Sequence, residues 1–85
     1  MYAVYILYSK NFDKYYIGST NSLPARLKRH NGGHSKYTKP YRPWLLVYFE
    51  KYPSRPEAVQ REKYLKSLKD KEIIRALVDN KRIPV

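Results

Sequence analysis

The chain has 85 residues, with 18 Lys and Arg against 7 Asp and Glu, a formal net charge of +11, and no cysteine. That is enough for one small domain; it excludes a disulfide staple and a Cys-based zinc site, and it leaves a modest core in which ten tyrosines must supply much of the burial. The charge calls for a polyanion, with nucleic acid as the natural partner, and no apolar run approaches the roughly 20 residues of a membrane span.

"YAVYILYS" (Tyr2–Ser9) is aromatic and β-branched without polar alternation, which predicts a strand covered on both faces. No basic segment precedes it, so a strand is the better reading than a signal peptide, and a reducing, cytoplasmic setting is expected. Asn11–Asp13 carries turn chemistry, and Lys14–Ser19 reads as the second strand of a hairpin. Thr20, Asn21 and Ser22 are cap candidates, with Pro24 in the first helical turn, where its missing N–H costs nothing. Leu23 and Leu27 make the apolar stripe of a short helix to about Asn31, closed by Gly32-Gly33.

His34–Pro43 is a basic, aromatic, proline-bearing loop, and Trp44–Tyr52 is a third strand. Ser54–Glu57 has the pattern of a capping box and opens a helix through about Lys69. A second helical segment starts at Asp70 and stops near Asn80, leaving residues 81–85 as a frayed tail. The order ββαβαα predicts a single α+β domain, a small three-stranded antiparallel sheet flanked by helices.

Three constellations are candidates for chemistry. Arg26 and His30 are four residues apart and share a helix face beside the buried stripe. They are either a surface Arg with a capping His, or a guanidinium fork held against a phosphodiester. Glu62 falls on the same helix face as Ala58 and Leu65. A carboxylate there must be paired, hydrogen-bonded or metal-bound. Arg61, Lys63 or Lys66 could pair with it structurally; an open magnesium site is the alternative, and an unpaired metal-ligand carboxylate is expected to be costly in the metal-free protein. Tyr16 and Gly18 share one face of the second strand, and a strand glycine marks close approach by a backbone, a side chain or a ligand.

"VYIL", then "YIG" with ten residues between Tyr5 and Tyr16, then "RLKRHN", "KYT" and "AVQREKYLK" together resemble the GIY-YIG nuclease domain, closest to its small single-domain subgroup. The resemblance runs from Tyr2 to about Leu68 in the family's order. It implies that Tyr5 matches the tyrosine of the first motif, that Tyr16, Ile17 and Gly18 are the second motif, and that Arg26 is the catalytic arginine. It further implies that His30 is the histidine one turn later, Tyr37 a loop tyrosine of the subgroup, and Glu62 the metal-binding glutamate. Ala3 and Val4 replace the Gly and Ile of the first motif, and Asn80 is too distant to match the asparagine that follows the glutamate in larger members.

The implied activity is endonucleolytic hydrolysis of phosphodiester bonds in DNA or structured nucleic acid, in repair or recombination. One Mg²⁺ or Mn²⁺ would sit on Glu62 and stabilise the leaving oxygen. Tyr5, Tyr16, Arg26 and His30 are the catalytic candidates. Gly18, Lys28, Arg29, Lys36, Tyr37, Lys39, Arg42 and Lys66 are the nucleic-acid contacts, and a separate protein would supply targeting in place of the appended DNA-binding domain of larger members. As a base, Tyr5 would need cationic neighbours such as Arg26 to bring its pKa down from about 10. The alternative is a basic nucleic-acid-binding or ribosome-associated module with a vestigial site.

Overall fold

The computed structural model describes residues 1–81. Strands β1 (Tyr2–Ser9) and β2 (Lys14–Thr20) form a hairpin, followed by α1 (Leu23–Asn31), β3 (Leu45–Tyr52), α2 (Arg55–Leu68) and α3 (Lys71–Lys81). A short 3-10 turn at Lys39–Tyr41 organises the loop before β3, a feature the proline-bearing sequence did not announce. The architecture is α+β in the order ββαβαα. Of the expected frayed tail, Lys81 ends α3, and residues 82–85 lie outside the described residues.

The sheet order is β2-β1-β3, antiparallel throughout. β1 is therefore central, which is why it shows no polar alternation. Its residues point to opposite faces by turns. Val4 packs with Ala58 and Leu65 of α2, and Ile6 with Ile74 and Val78 of α3. Tyr5 and Leu7 point the other way, into a cluster with Trp44, Tyr16 and the Leu23 and Leu27 stripe of α1. The sheet thus separates α1 from α2 and α3.

Two carboxylates fix elements to this frame. Glu50 of β3 receives both arms of Arg61 from α2, at 2.9 and 3.0 Å, together with the hydroxyls of Tyr48 and Tyr52. Asp13, in the hairpin turn at φ 51°, receives Tyr8 at 2.7 Å and pairs with Lys71 and Arg75 of α3. The capping box at Ser54 is not formed: Ser54 is the N-cap of α2, but only its carbonyl contributes, accepting from Ala58 N–H at 3.3 Å. Asp70 does cap α3, its carboxylate accepting from Glu72 N–H at 2.9 Å.

Candidate active site

The hairpin register sets Tyr5 opposite Gly18 and Leu7 opposite Tyr16, so Tyr5, Tyr16 and Gly18 share the α1 face of the sheet. Gly18 is buried, and a Cβ placed on it would stand 2.5 Å from the Tyr5 hydroxyl. A close approach at this glycine is made by the Tyr5 ring, the side-chain alternative among those a strand glycine allows.

The Tyr5 hydroxyl lies 3.0 Å from Nε2 of His30, whose Nδ1 lies 2.9 Å from Oγ1 of Thr38. All three residues are buried. His30 is thus not a solvent-facing helix cap; both its ring nitrogens are engaged in the interior. Burial, then the charges of Arg26 and Arg29, holds its pKa below 6.5. A neutral imidazole has one donor and one acceptor nitrogen. The chain of bonds is satisfied when Tyr5 donates to Nε2 and Nδ1–H donates to Thr38, a tautomer assigned from the network. Thr38 is itself anchored, since its carbonyl accepts Trp44 Nε1–H at 2.9 Å. Asn31 completes the clamp, giving its side-chain N–H to the Trp44 carbonyl at 3.0 Å and accepting Trp44 N–H at 2.6 Å.

Burial pushes the Tyr5 hydroxyl up to about 12, reinforced by Tyr16, against the opposing pull of Arg26. Arg26 acts in the expected direction but is outweighed by desolvation. Tyr5 is therefore a phenol at neutral pH and not a ready-made phenolate.

Glu62 reaches the edge of β2 from the other face of the sheet. Ser19 Oγ donates to its Oε1 at 2.5 Å, and Lys66 Nζ to Oε2 at 2.6 Å. Its side chain is 18% exposed. Burial alone would push this carboxyl up, but the hydrogen bonds from Lys66 and Ser19, with the charges of Lys66 and Arg26, hold it below the usual carboxylate range. Of the structural partners the sequence offered, Lys66 is the one that pairs with Glu62, and Arg61 is committed to Glu50; the unpaired, costly carboxylate that followed from the metal-ligand alternative is not what the structure has.

Arg26 from α1 and Glu62 from α2 line one polar cleft of about 390 Å³ with Ser19, Thr20, Asn21 and Arg55. The two helices lie on opposite faces of the sheet, and the cleft joins them around the edge strand β2. The Glu62 carboxylate is the acidic group of this cleft, and among the described residues no three His, Cys, Asp or Glu side chains gather as metal ligands. One carboxylate beside a hydroxyl and an amide, with open volume, fits a hard divalent cation that keeps its waters and takes up phosphate oxygens.

Lys28, Arg29, Lys36, Lys39 and Arg42 are exposed. Tyr37 is 62% exposed, with its ring 6.0 Å from that of Tyr16. Asn80 is exposed on α3 and lines none of the clefts described. Thr38 and Ser19, the residues that hold His30 and Glu62, were not singled out in the sequence. The signal for Ser19 was present, since period-two alternation turns it away from Gly18 and toward α2.

A family model of the GIY-YIG catalytic domain matches residues 1–74. A UPF0213 protein of Clostridium perfringens is 47% identical over 66 residues, spanning 76% of this chain and 70% of its own. A UPF0213 protein of Staphylococcus haemolyticus is 43% identical over 65 residues, spanning 75% of this chain and 78% of its own. The solution NMR structure of a UPF0213 protein from Bacillus halodurans is similar with a TM-score of 0.61 and 35% identity, covering 99% of this chain and 89% of that one.

Proposed function

Because this chain belongs to the GIY-YIG catalytic-domain family, a nuclease family, we propose that it is a divalent-metal-dependent endonuclease that hydrolyses phosphodiester bonds in DNA. The observation that carries the reading is the convergence of Arg26 and Glu62, from opposite faces of the sheet, on one cleft at the edge of β2. A guanidinium and a carboxylate facing the same open volume are what a scissile phosphate with a bound cation requires.

In this reading Arg26 grips the phosphoryl oxygens and stabilises the charge that builds on them in the transition state. Glu62 would hold the cation, with Lys66 leaving Oε2 to make room; bound there, a divalent ion supplies Lewis-acid stabilisation of the leaving oxygen. Tyr5 and His30 act together. Both are buried and neither lines the cleft, so the step requires a water admitted to the Tyr5 hydroxyl. That water would give a proton to the Tyr5 oxygen as the phenolic proton passes to His30 Nε2, 3.0 Å away, and the hydroxide would attack phosphorus as the ester P–O bond breaks. A neutral His30 is the acceptor this transfer needs, and Tyr5 never carries full phenolate charge. Thr38 fixes the ring that receives the proton, and Tyr16 packs 4.9 Å from it. The exposed lysines and arginines hold the strand on either side through phosphate contacts.

A second reading, a nucleic-acid-binding module that does not cut, is favoured by one observation: both Glu62 oxygens are already taken, by Ser19 and Lys66. Cleavage assays with added Mg²⁺ or Mn²⁺ and with chelator separate the two. Arg26→Lys keeps the charge and loses the planar fork. It should cut at least about tenfold more slowly than wild type, roughly 1.4 kcal/mol of transition-state stabilisation, with little change in binding. Absence of metal-dependent cleavage by wild type on every form of DNA leaves the binding module as the function.

A further inference from the structure

A second and larger cleft, of about 550 Å³, opens along β2 beside the first. One side of it is aromatic, made by Tyr16, Tyr37 and Trp44, another is aliphatic, and its rim carries Lys14, Lys66 and Lys69 beside Asp70. It meets the proposed site at two points. Lys66 is bonded to Glu62 at 2.6 Å, and the Tyr16 ring stands 4.9 Å from His30. From Tyr37 the rings continue outward to Tyr41 at 6.2 Å and Phe12 at 5.3 Å, with Lys14 Nζ 4.6 Å from the Tyr41 centroid.

Lysines alone suffice to hold a duplex backbone, because that attraction is to phosphate and is indifferent to bases. Exposed rings are not needed for it. Tyr37 is 62% exposed and Phe12 50%, on a domain that has little core to spare. In a duplex the base faces are stacked on one another and unavailable. In an unpaired strand they are free, and a basic groove set with aromatic rings is the surface that takes them. We infer that the Tyr16–Tyr37–Trp44 cleft seats unpaired nucleotides flanking the scissile phosphate, so that the preferred substrate is a single strand or the unpaired arm of a branched one. This rests on the nuclease reading for the position of the scissile phosphate; the binding it describes does not.

The test is binding without cleavage, in chelator, of labelled oligothymidylate and of a duplex, by wild type, Tyr37→Ala and Tyr37→Phe. Trp44 is the one tryptophan of the chain and reports from the cleft wall. Removing a stacking ring costs about 1–3 kcal/mol per base, so Tyr37→Ala should lower the ratio of single-strand to duplex affinity by at least about fivefold. Tyr37→Phe should keep that ratio, and Trp44 emission should change with the single strand and not with the duplex. An equal loss on both ligands, an unchanged ratio, or a Phe variant as impaired as the Ala variant overturns the proposal. None of these outcomes touches metal-dependent cutting or the Arg26 comparison, so this inference and the nuclease reading fail separately.

Discussion

At the scale of single residues the site is a set of side chains that constrain one another. Gly18 is small because Tyr5 lies across it, and Tyr5 lies there because His30 holds its hydroxyl. Tyr5 is fully buried and has nowhere to swing. Gly18→Ala should therefore overpack the hairpin and destabilise by about 1–3 kcal/mol, read as a lowered denaturant midpoint. An unchanged midpoint would mean that the ring moves freely.

His30 gives the protein a pH dependence. Its native pKa is lowered below 6.5, by burial first and then by Arg26 and Arg29, so the unfolded chain takes up a proton more readily. The stability this contributes is complete above pH 6.5 and is lost as pH falls through the native value. Glu50 and Glu62 are also held low, so they add a further loss deeper in the acid range, below 4.5. The Tm of wild type should therefore fall in two stages on acidification. His30→Gln should remove the first stage, and an unaltered profile in that variant would contradict the assignment. Arg26 and Glu62 could be located from helical spacing and motif order. Strand alternation could turn Ser19 toward α2, but neither its bond to Glu62 nor that of Thr38 to His30 could be read, because a hydroxyl's partner is set by tertiary approach.

At the scale of elements, burial dictated the parts that sequence could place. β1 reads as a buried strand because helices cover both its faces, and the Leu23 and Leu27 stripe reads as a helix because it packs on Tyr5 and Leu7. The parts that were not legible depend on single side chains reaching across the chain. The capping box at Ser54 is absent although its pattern is complete, and Thr20 rather than Ser22 supplies the side-chain oxygen before α1, accepting Ser22 N–H at 3.1 Å. The docking of α3 was equally hidden, since it depends on Asp13 meeting Lys71 and Arg75 from a turn about sixty residues earlier. Asp13→Asn keeps a residue that tolerates positive φ and removes only the charge. It should lower Tm by a few degrees at low salt, with the difference shrinking as salt is added. A difference that persists at high salt would assign the effect to the turn and not to the ion pairs.

At the scale of the whole molecule, a chain with net charge +11 and a three-stranded sheet has no deep interior to spend on an enclosed pocket. Its candidate site is instead wrapped around the edge of β2, where groups from both faces of the sheet meet. That placement leaves the cleft open, and in the nuclease reading proposed above the Glu62 carboxylate would be the resting partner of Lys66 until a cation and a phosphate arrive. Since Glu62 is held charged by Lys66 and Ser19, its neutralisation should cost stability whether or not it binds metal, so melting alone cannot reveal its role. The most direct measurement is single-turnover cleavage of DNA by Glu62→Gln in saturating Mg²⁺, well below its melting temperature, with binding of the uncut strand followed in chelator. A loss in rate of at least about a hundredfold, roughly 2.7 kcal/mol, is expected, with binding retained. A Gln variant that cuts within about threefold of wild type would contradict a metal-holding role for Glu62, since less than about 0.7 kcal/mol of transition-state stabilisation would then depend on that carboxylate.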